Sequence, residues 1–268
     1  MVSKDLNSTE VGRWDEQVAK RLAHSVGRPV RAYFRSQVHG FEHFPTTGRA
    51  LVVSNHSGGM FTPDILLFAP AFYEHFGYDR SVYTLAHDTV FIGPFNEWLP
   101  RAGVIHATRG NAAAALEAGG VVLVFPGGDH DSYRPTSAST TIDFNGRTGY
   151  VATAVQAGAP IVPMVSIGGQ ETQLFLTRGR WLANRLGLHR ARMQALPITF
   201  GFPFGLSMFI PPNLPLPSKI VSRVLPPIDI AAQFGDDPDV AEVDAHVRSV
   251  MQIALHELAR QRRFPIVG

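Results

Sequence analysis

The 268-residue sequence contains no cysteine and no long apolar run. Without cysteine the chain can form no disulfide, no thiolate metal site and no cysteine nucleophile. A membrane-spanning helix needs an uninterrupted run of roughly eighteen or more apolar residues, and none is present. The N-terminal residues also lack the apolar core of a signal peptide. We therefore predict an intracellular protein without a spanning helix.

Several catalytic signatures are missing as well. No Gly-x-Ser-x-Gly motif occurs, and residues 205–209, which come nearest to it, lack the closing glycine. This disfavours a serine hydrolase of the α/β type. The glycine-rich fingerprints of phosphate loops and dinucleotide sites are also absent. A formal charge of only +2, from 24 basic and 22 acidic residues, gives no support to a nucleic-acid partner.

The chain is 45% hydrophobic, and its apolar segments alternate between strand-like and helix-like patterns. Helices are predicted over residues 111–117, 144–157 and, at the C-terminal end, from residue 240. Strands and helices that alternate in this way favour helices on both faces of a mainly parallel sheet. We predict a single α/β domain over residues 41–268. Its buried strands are predicted at residues 50–53, 81–86, 103–106, 121–125 and 160–167.

Residues 1–40 are predicted to form an N-terminal amphipathic and basic helical segment. Apolar residues recur at spacings of three and four between Val11 and Val26, which predicts a helix over residues 10–27. The charges between residues 17 and 40 are all basic. Two interpretations stay open: a helix packed on the domain, or a helix in the membrane interface with its basic flank on anionic headgroups.

A second apolar segment, residues 195–216, is interrupted by five prolines and two glycines. It therefore cannot span a bilayer as a regular helix. One interpretation is buried loops and short strands, and the other is a surface that lines an acyl tunnel or touches lipid. A basic cluster precedes it, formed by Arg178, Arg180, Arg185, Arg190 and Arg192.

A polar turn that carries His56 follows the predicted strand 50–53. Its small neighbours leave room for a substrate, and a neutral imidazole can accept a proton near pH 7. Thr62, Pro63 and Asp64 predict a helix start, as a hydroxyl cap, a first-turn proline and a first-turn carboxylate. The alternative is that His56 only caps or packs and that Asp64 only complements the helix dipole.

Two further polar turns follow predicted strands. Arg109 precedes the helix at 111–117, where a guanidinium suits an anion or an ester oxygen. Three adjacent residues at 129–131 (Asp, His, Asp) could supply metal ligands, with His56, His87 or His106 completing the set. Adjacent turn residues rarely all face one ion, and no spaced histidine signature accompanies them. We therefore predict no metal.

Three segments resemble, in order, the successive blocks of the glycerolipid acyltransferase superfamily. They are NHSGGMFTPD at 55–64, GVIHATRGNAAAALEAGGVVLVFPGG at 103–128 and GAPIVPMVSIGG at 158–169. The similarity covers about residues 49–230. It is greatest to the branch that contains the monoacylglycerol and type 2 diacylglycerol acyltransferases and their bacterial relatives. The resemblance implies a glycerolipid acyltransferase-like α/β fold.

The family's first block, an Asn-His followed by an Asp, corresponds to Asn55, His56 and Asp64. Its arginine corresponds to Arg109, and its Phe-Pro turn to residues 125–128. Seven residues separate His56 from Asp64, where the family usually has four. The turn reads Phe-Pro-Gly-Gly instead of the usual Phe-Pro-Glu-Gly. The Pro-Gly-Gly form is similar to that of the neutral-lipid branch.

The resemblance implies an O-acyltransferase that moves a fatty acyl group from acyl-CoA or acyl carrier protein to a hydroxyl of a glycerolipid-type acceptor. It implies no cofactor and no covalent protein intermediate. His56 would be the general base, and Asp64 would orient it. The oxyanion would face the backbone amides of Gly127 and Gly128 or the side chain of Asn55. The polar head of the acceptor would be held by Arg109 and Asp129.

Two other functions remain possible on this fold. A lipid esterase or thioesterase would use the same His56 with water as the acceptor, and a non-catalytic protein would only bind lipid. For the acyltransferase we expect a cytoplasmic protein, peripheral at the inner face of the membrane. Its expected partners are the acyl donor, the glycerolipid acceptor and the membrane surface, with no nucleic acid.

Overall fold

A seven-stranded sheet and a smaller three-stranded sheet organise the protein in this computed structural model, which describes residues 10–91, 93, 95–188, 195–208 and 211–264. Arg190, Arg192 and residues 1–9 of the predicted N-terminal segment lie outside the described residues. The strands of the large sheet are β1 Gln37–His39, β2 Ala50–Ser54, β3 Val82–Ala86, β4 Val104–His106, β5 Val121–Val124, β6 Ile161–Ile167 and β10 Val221–Val224. The small sheet contains β7 Leu174–Thr177, β8 Ile198–Gly201 and β9 Gly205–Met208.

The large sheet has the strand order β1-β10-β6-β2-β5-β3-β4. Strands β2 to β6 are all parallel, β10 is antiparallel to β6, and β1 is parallel to β10. The predicted α/β fold with a mainly parallel sheet is thus confirmed. Because β2 lies between β5 and β6, the turns that follow these three strands meet at one edge of the sheet.

Helices cover both faces of the large sheet. Within β2, Leu51 and Val53 belong to a cluster with the helices at 109–117, 149–157 and 240–261, whereas Val52 belongs to a phenylalanine-rich cluster on the other face. Strands buried on both faces in this way are continuously apolar. The helices are α1 Glu16–Leu22, α2 Arg28–Tyr33, α3 Ile65–Phe76, α4 Phe95–Arg101, α5 Arg109–Glu117, α6 Gly128–Ser132, α7 Gly149–Ala157, α8 Arg180–Arg185, α9 Ile230–Phe234 and α10 Val240–Gln261.

The predicted N-terminal helix is present, but its α-helical part begins at Glu16 and a π-helical turn, Ala23–Gly27, separates α1 from α2. This segment packs on the domain, because a Cβ at Gly27 would lie 2.7 Å from Cγ of Pro70 in α3. Across the described residues, no helix is both long and apolar enough to cross a bilayer.

Two predicted helix starts are wrong. Helix α7 begins at Gly149 and not near residue 144, because Asn145 has a φ of 54° and Asp143 accepts a hydrogen bond from its backbone N–H. A backbone at positive φ does not continue a right-handed helix. Helix α3 begins at Ile65 with Asp64 as its N-cap, since Thr62 has a φ of 32° and cannot cap it.

Candidate active site

His56 lies in the turn after β2 and is hydrogen-bonded to Asp64. His56 Nδ1 is 2.9 Å from Asp64 Oδ2, and the same oxygen accepts the backbone N–H of Ser57 at 2.7 Å. The other oxygen of Asp64 accepts the N–H of Ile65 and caps α3. A carboxylate can only accept, so Nδ1 carries the proton and Nε2 is the basic nitrogen.

The residues between His56 and Asp64 form a loop that brings the two side chains together. Gly58 and Thr62 adopt left-handed conformations at either end of a 3-10 turn, Gly59–Phe61. The reversal of the backbone at each end lets the chain return Asp64 to the start of the turn, beside His56. A Cβ at Gly58 would lie 2.4 Å from Cδ of Pro63, so the loop requires glycine there.

Three side chains hold His56 from other parts of the chain. Asp131 accepts its backbone N–H at 2.5 Å, and Arg134 donates to its carbonyl at 3.1 Å while it pairs with Asp131. The ring of Phe125 stacks on the imidazole with 4.3 Å between centroids. Burial raises the pKa of Asp131, and the Arg134 guanidinium and the His56 N–H oppose that rise. The backbone and ring of His56 are therefore fixed.

Asn55 ties the end of β2 to β6. Its Nδ2 donates to the carbonyl of Ser166, and its Oδ1 accepts the Ser166 N–H, both at 2.8 Å. The residue is fully buried. Both polar atoms are bonded inside the sheet, which disfavours the predicted oxyanion contact by this side chain. Asn55 instead positions the turn that carries His56.

The Phe-Pro-Gly-Gly turn follows β5 next to His56. The N–H of Gly128 donates to the carbonyl of Phe125 at 3.0 Å and is used within the turn. A Cβ at Gly127 would lie only 2.4 Å from the Cβ of Asp131. This contact explains why glycine occupies the position where the family usually has glutamate. A glutamate at 127 would displace the carboxylate that holds His56.

Arg109 and Arg147 line an open cavity of about 290 Å³ beside this turn, together with Phe125 and Pro126. Arg109 is the first residue of α5, and its side chain is exposed. Arg147 donates to the carbonyl of Gly127 at 2.8 Å and pairs with Asp129 at 3.0 Å. The cavity is therefore cationic, and Asp129 reaches it through Arg147.

The adjacent polar residues of α6 take three different partners. Asp129 pairs with Arg147, His130 Nε2 lies 2.8 Å from Asp143, and Asp131 pairs with Arg134. The chain positions that the structure covers contain no group of three or more His, Asp or Glu side chains that could hold a metal ion.

Neither Arg134 nor Arg147 stands out in the sequence. Arg134 lies in a polar turn, where an arginine is normally a solvent-exposed residue, yet here it is almost completely buried. Arg147 follows a predicted helix start that the structure does not have. Only the adjacency of Asp131 to the Phe-Pro-Gly-Gly turn could have directed attention to this region.

Comparisons with known proteins support the acyltransferase resemblance. Residues 35–167 match the acyltransferase family model. An uncharacterized protein of Mycobacterium tuberculosis is 34% identical over 238 residues, which cover 87% of this chain and 64% of that protein. The bovine protein named DGAT1/2-independent enzyme synthesizing storage lipids is 28% identical over 222 residues, or 79% of this chain and 60% of that protein. The chain thus spans less than two thirds of the length of these relatives.

The fold is similar to the crystal structure of the 1-acyl-sn-glycerophosphate acyltransferase PlsC from Thermotoga maritima. The TM-score is 0.52 at 17% identity, and the match covers 88% of this chain and 81% of that one. At this identity the likeness concerns the fold alone. The family match and the ordered sequence blocks lead to one conclusion: the chain belongs to the glycerolipid acyltransferase superfamily.

Proposed function

We propose that this protein transfers a fatty acyl group from an acyl thioester, either acyl-CoA or acyl carrier protein, to a hydroxyl of a glycerolipid-type acceptor. The observation that carries the proposal is the 2.9 Å contact between His56 Nδ1 and Asp64 Oδ2 beside the Phe-Pro-Gly-Gly turn. A thioester carbonyl is already electrophilic, so the reaction requires a base and an oxyanion site but no protein nucleophile or cofactor.

In this mechanism Nε2 of His56 takes the proton of the acceptor hydroxyl as the oxygen attacks the thioester carbon. The tetrahedral intermediate then collapses, the carbon–sulfur bond breaks, and the imidazolium returns the proton to the leaving sulfur. Asp64 stabilises the imidazolium and holds the ring in the required tautomer. The fixed ring removes the reorientation that a mobile histidine would need before each transfer.

We assign the oxyanion contact to the backbone N–H of Gly127, since that of Gly128 is used within the turn. Arg109 binds the polar head of the acceptor from the neighbouring cavity, and Arg147 braces the turn through Gly127 and Asp129. The absence of a glutamate at position 127 favours a neutral glycerolipid over a phosphate-bearing acceptor.

Such substrates reside in membranes, so we place the enzyme at the membrane surface, on the cytoplasmic side. The basic residues of the N-terminal helical segment support this placement, because a surface rich in anionic lipid attracts Lys and Arg.

The proposal is tested by product analysis of the purified protein with acyl-CoA or acyl carrier protein, each with and without a monoacylglycerol or lysophosphatidate acceptor. We expect ester formation by the wild type and a loss of about 10³-fold or more in His56→Gln. The matched control is His106→Gln. It removes another histidine that is paired with a carboxylate, His106 Nδ1 to Glu10 at 2.6 Å, but one outside the proposed site.

Undiminished transfer by a folded His56→Gln protein would rule out His56 as the base. Release of free fatty acid without ester, in the presence of an acceptor, would assign the esterase or thioesterase function instead. No turnover by the wild type with any donor would support a lipid-binding role.

A further inference from the structure

The small sheet is inverted relative to an ordinary water-exposed sheet. Its outward residues are apolar, and its inward residues are mostly polar. Thr199 and Ser207 are buried and hydrogen-bonded to each other at 3.1 Å, and Asn213 donates to Ser207 at 3.1 Å. The side chains exposed on the other face are Leu174, Leu176, Phe200, Leu206 and Met208. A sheet in water normally shows the opposite pattern.

The exposed apolar residues form one continuous face. Leu174 is opposite Phe200 in the register, and Phe200 is opposite Leu206, so the three side chains form a row across all three strands. The hairpin between β8 and β9 extends this row with Phe202 and Phe204. Phe202 and Leu206 are 67% and 66% exposed. Isolated exposed apolar residues are normal, but a contiguous patch of this kind marks an interaction surface.

Basic residues border this face in the part of the chain that the structure describes. Glu171, which lies beside Leu174 in the lining of the groove on this face, is paired with Arg262 at 2.8 Å. Arg178, Arg180 and Arg185 directly follow β7 or lie in α8, next to the exposed Trp181. Apolar side chains bordered by basic residues and a tryptophan match the interface of a membrane with anionic lipid. Two copies facing each other through this surface would instead bring like charges together.

We propose that the outward face of the β7–β9 sheet, with its hairpin, docks the protein on an anionic lipid surface. This docking rests on the proposed function, because an enzyme that acts on glycerolipids must reach the membrane. It assigns membrane contact to a part of the chain other than the N-terminal helix. The same sheet also reaches the catalytic turn. A Cβ at Gly59 would lie 2.7 Å from the ring of Phe175, the buried aromatic residue of β7. When this face is docked, only the small sheet therefore lies between the lipid and the loop that follows His56.

An apolar groove of about 630 Å³ opens on the same face, between Leu174, Phe200, Phe202, Pro203 and Leu216. A bilayer that contacts the sheet covers this groove and lets an acyl chain enter it without crossing water. The groove thus gives the docking face a role in substrate entry as well as in attachment.

The test is flotation of the full chain with vesicles of phosphatidylcholine alone or mixed with phosphatidylglycerol. It is performed on the His56→Gln protein, so that binding is independent of turnover. We expect the double variant Phe202→Ser/Leu206→Ser to bind vesicles about tenfold more weakly or worse, because it removes two large apolar side chains. The matched control Val155→Ser/Ile253→Ser removes two exposed apolar residues of α7 and α10 and should bind as the parent does. Circular dichroism and urea unfolding check that both fold.

A third variant, Arg180→Gln/Arg185→Gln, should lose the preference for phosphatidylglycerol and keep the weaker binding to phosphatidylcholine. Parent-like vesicle binding by the Phe202→Ser/Leu206→Ser protein would overturn the proposal. The proposal would also be overturned if the wild type were a dimer and that variant a monomer with unchanged vesicle binding. The face would then be a contact between two copies of the chain. If the wild-type protein binds vesicles but transfers no acyl group, only the proposed function is contradicted.

Discussion

His56 Nδ1 and Asp64 Oδ2 are 2.9 Å apart although seven residues separate the two in the chain. The longer spacing is accommodated by a loop with left-handed residues at both ends, and Asp64 returns as the N-cap of α3. One carboxylate thus receives the imidazole, the Ser57 N–H and the first N–H of a helix. The insertion alters the path of the backbone and preserves the pairing.

Replacing Asp64 by Asn should reduce kcat by about 10²- to 10⁴-fold, because an amide cannot stabilise the imidazolium. The free energy of unfolding should change by less than about 1 kcal/mol, since Asn also caps helices well. The control is Asp143→Asn, which alters a His–Asp pair of similar length outside the proposed site, His130 to Asp143 at 2.8 Å. Steady-state kinetics and urea unfolding measure both quantities, and near wild-type turnover of Asp64→Asn would refute the pairing's role.

Gly58→Ala should lower kcat, because a Cβ there meets Pro63 at 2.4 Å and must displace the loop that returns Asp64 to His56. Gly158→Ala is the matched control: Gly158 is also left-handed, but a Cβ would have no neighbour within 4 Å. Both variants should lose about 1–2 kcal/mol of stability from the left-handed backbone alone. Equal activities of the two would show that the loop does not control the pair.

Asn55→Ala should destabilise the protein by about 2–4 kcal/mol, because it leaves the buried N–H and C=O of Ser166 without partners. The exposed Asn184→Ala in α8 should cost less than about 0.5 kcal/mol. Urea unfolding distinguishes this positioning role from an oxyanion role, which would reduce kcat at unchanged stability.

Arg109→Met should raise KM for the acceptor about tenfold and leave kcat near the wild-type value, because in the proposed mechanism the exposed guanidinium binds the acceptor head and not the reacting atoms. Arg147→Met should also lower kcat, since Arg147 braces the carbonyl of Gly127. Arg49→Met serves as the control, because Arg49 precedes β2 at the opposite edge of the sheet. An unchanged KM in Arg109→Met would place the acceptor elsewhere.

Arg134→Met should destabilise the protein by about 3–5 kcal/mol, because it leaves the buried carboxylate of Asp131 without its counter-charge. Burial then raises the pKa of Asp131 without opposition from Arg134. When the pKa of a carboxyl group is higher in the folded than in the unfolded protein, the free energy of unfolding decreases as the pH rises from the unfolded pKa to the folded pKa. The destabilisation should therefore be greater at about pH 8 than at about pH 5, measured by urea unfolding at both, and a pH-independent loss would contradict the coupling.

The sequence predicted the sheet well because parallel strands buried on both faces must be apolar throughout. Strands β2, β5 and β6 are each short apolar runs, and the polar turns after them had to meet at one edge. The prediction failed where single backbone angles decide the outcome. Thr62 and Asn145 adopt positive φ, a conformation that composition does not reveal, and both displace a predicted helix start.

The sequence by itself determined the α/β class, the position of His56 at the end of a strand, and the family, because apolar periodicity and ordered motifs are properties of local sequence. Only the tertiary structure decided which side chains are hydrogen-bonded to the residues of the site. Asp131 is 75 positions from His56, and Ser166 is 111 positions from Asn55. The outward apolar face of the small sheet likewise depends on which side of each strand packs inward. Such contacts depend on how distant segments pack, and no local pattern encodes them.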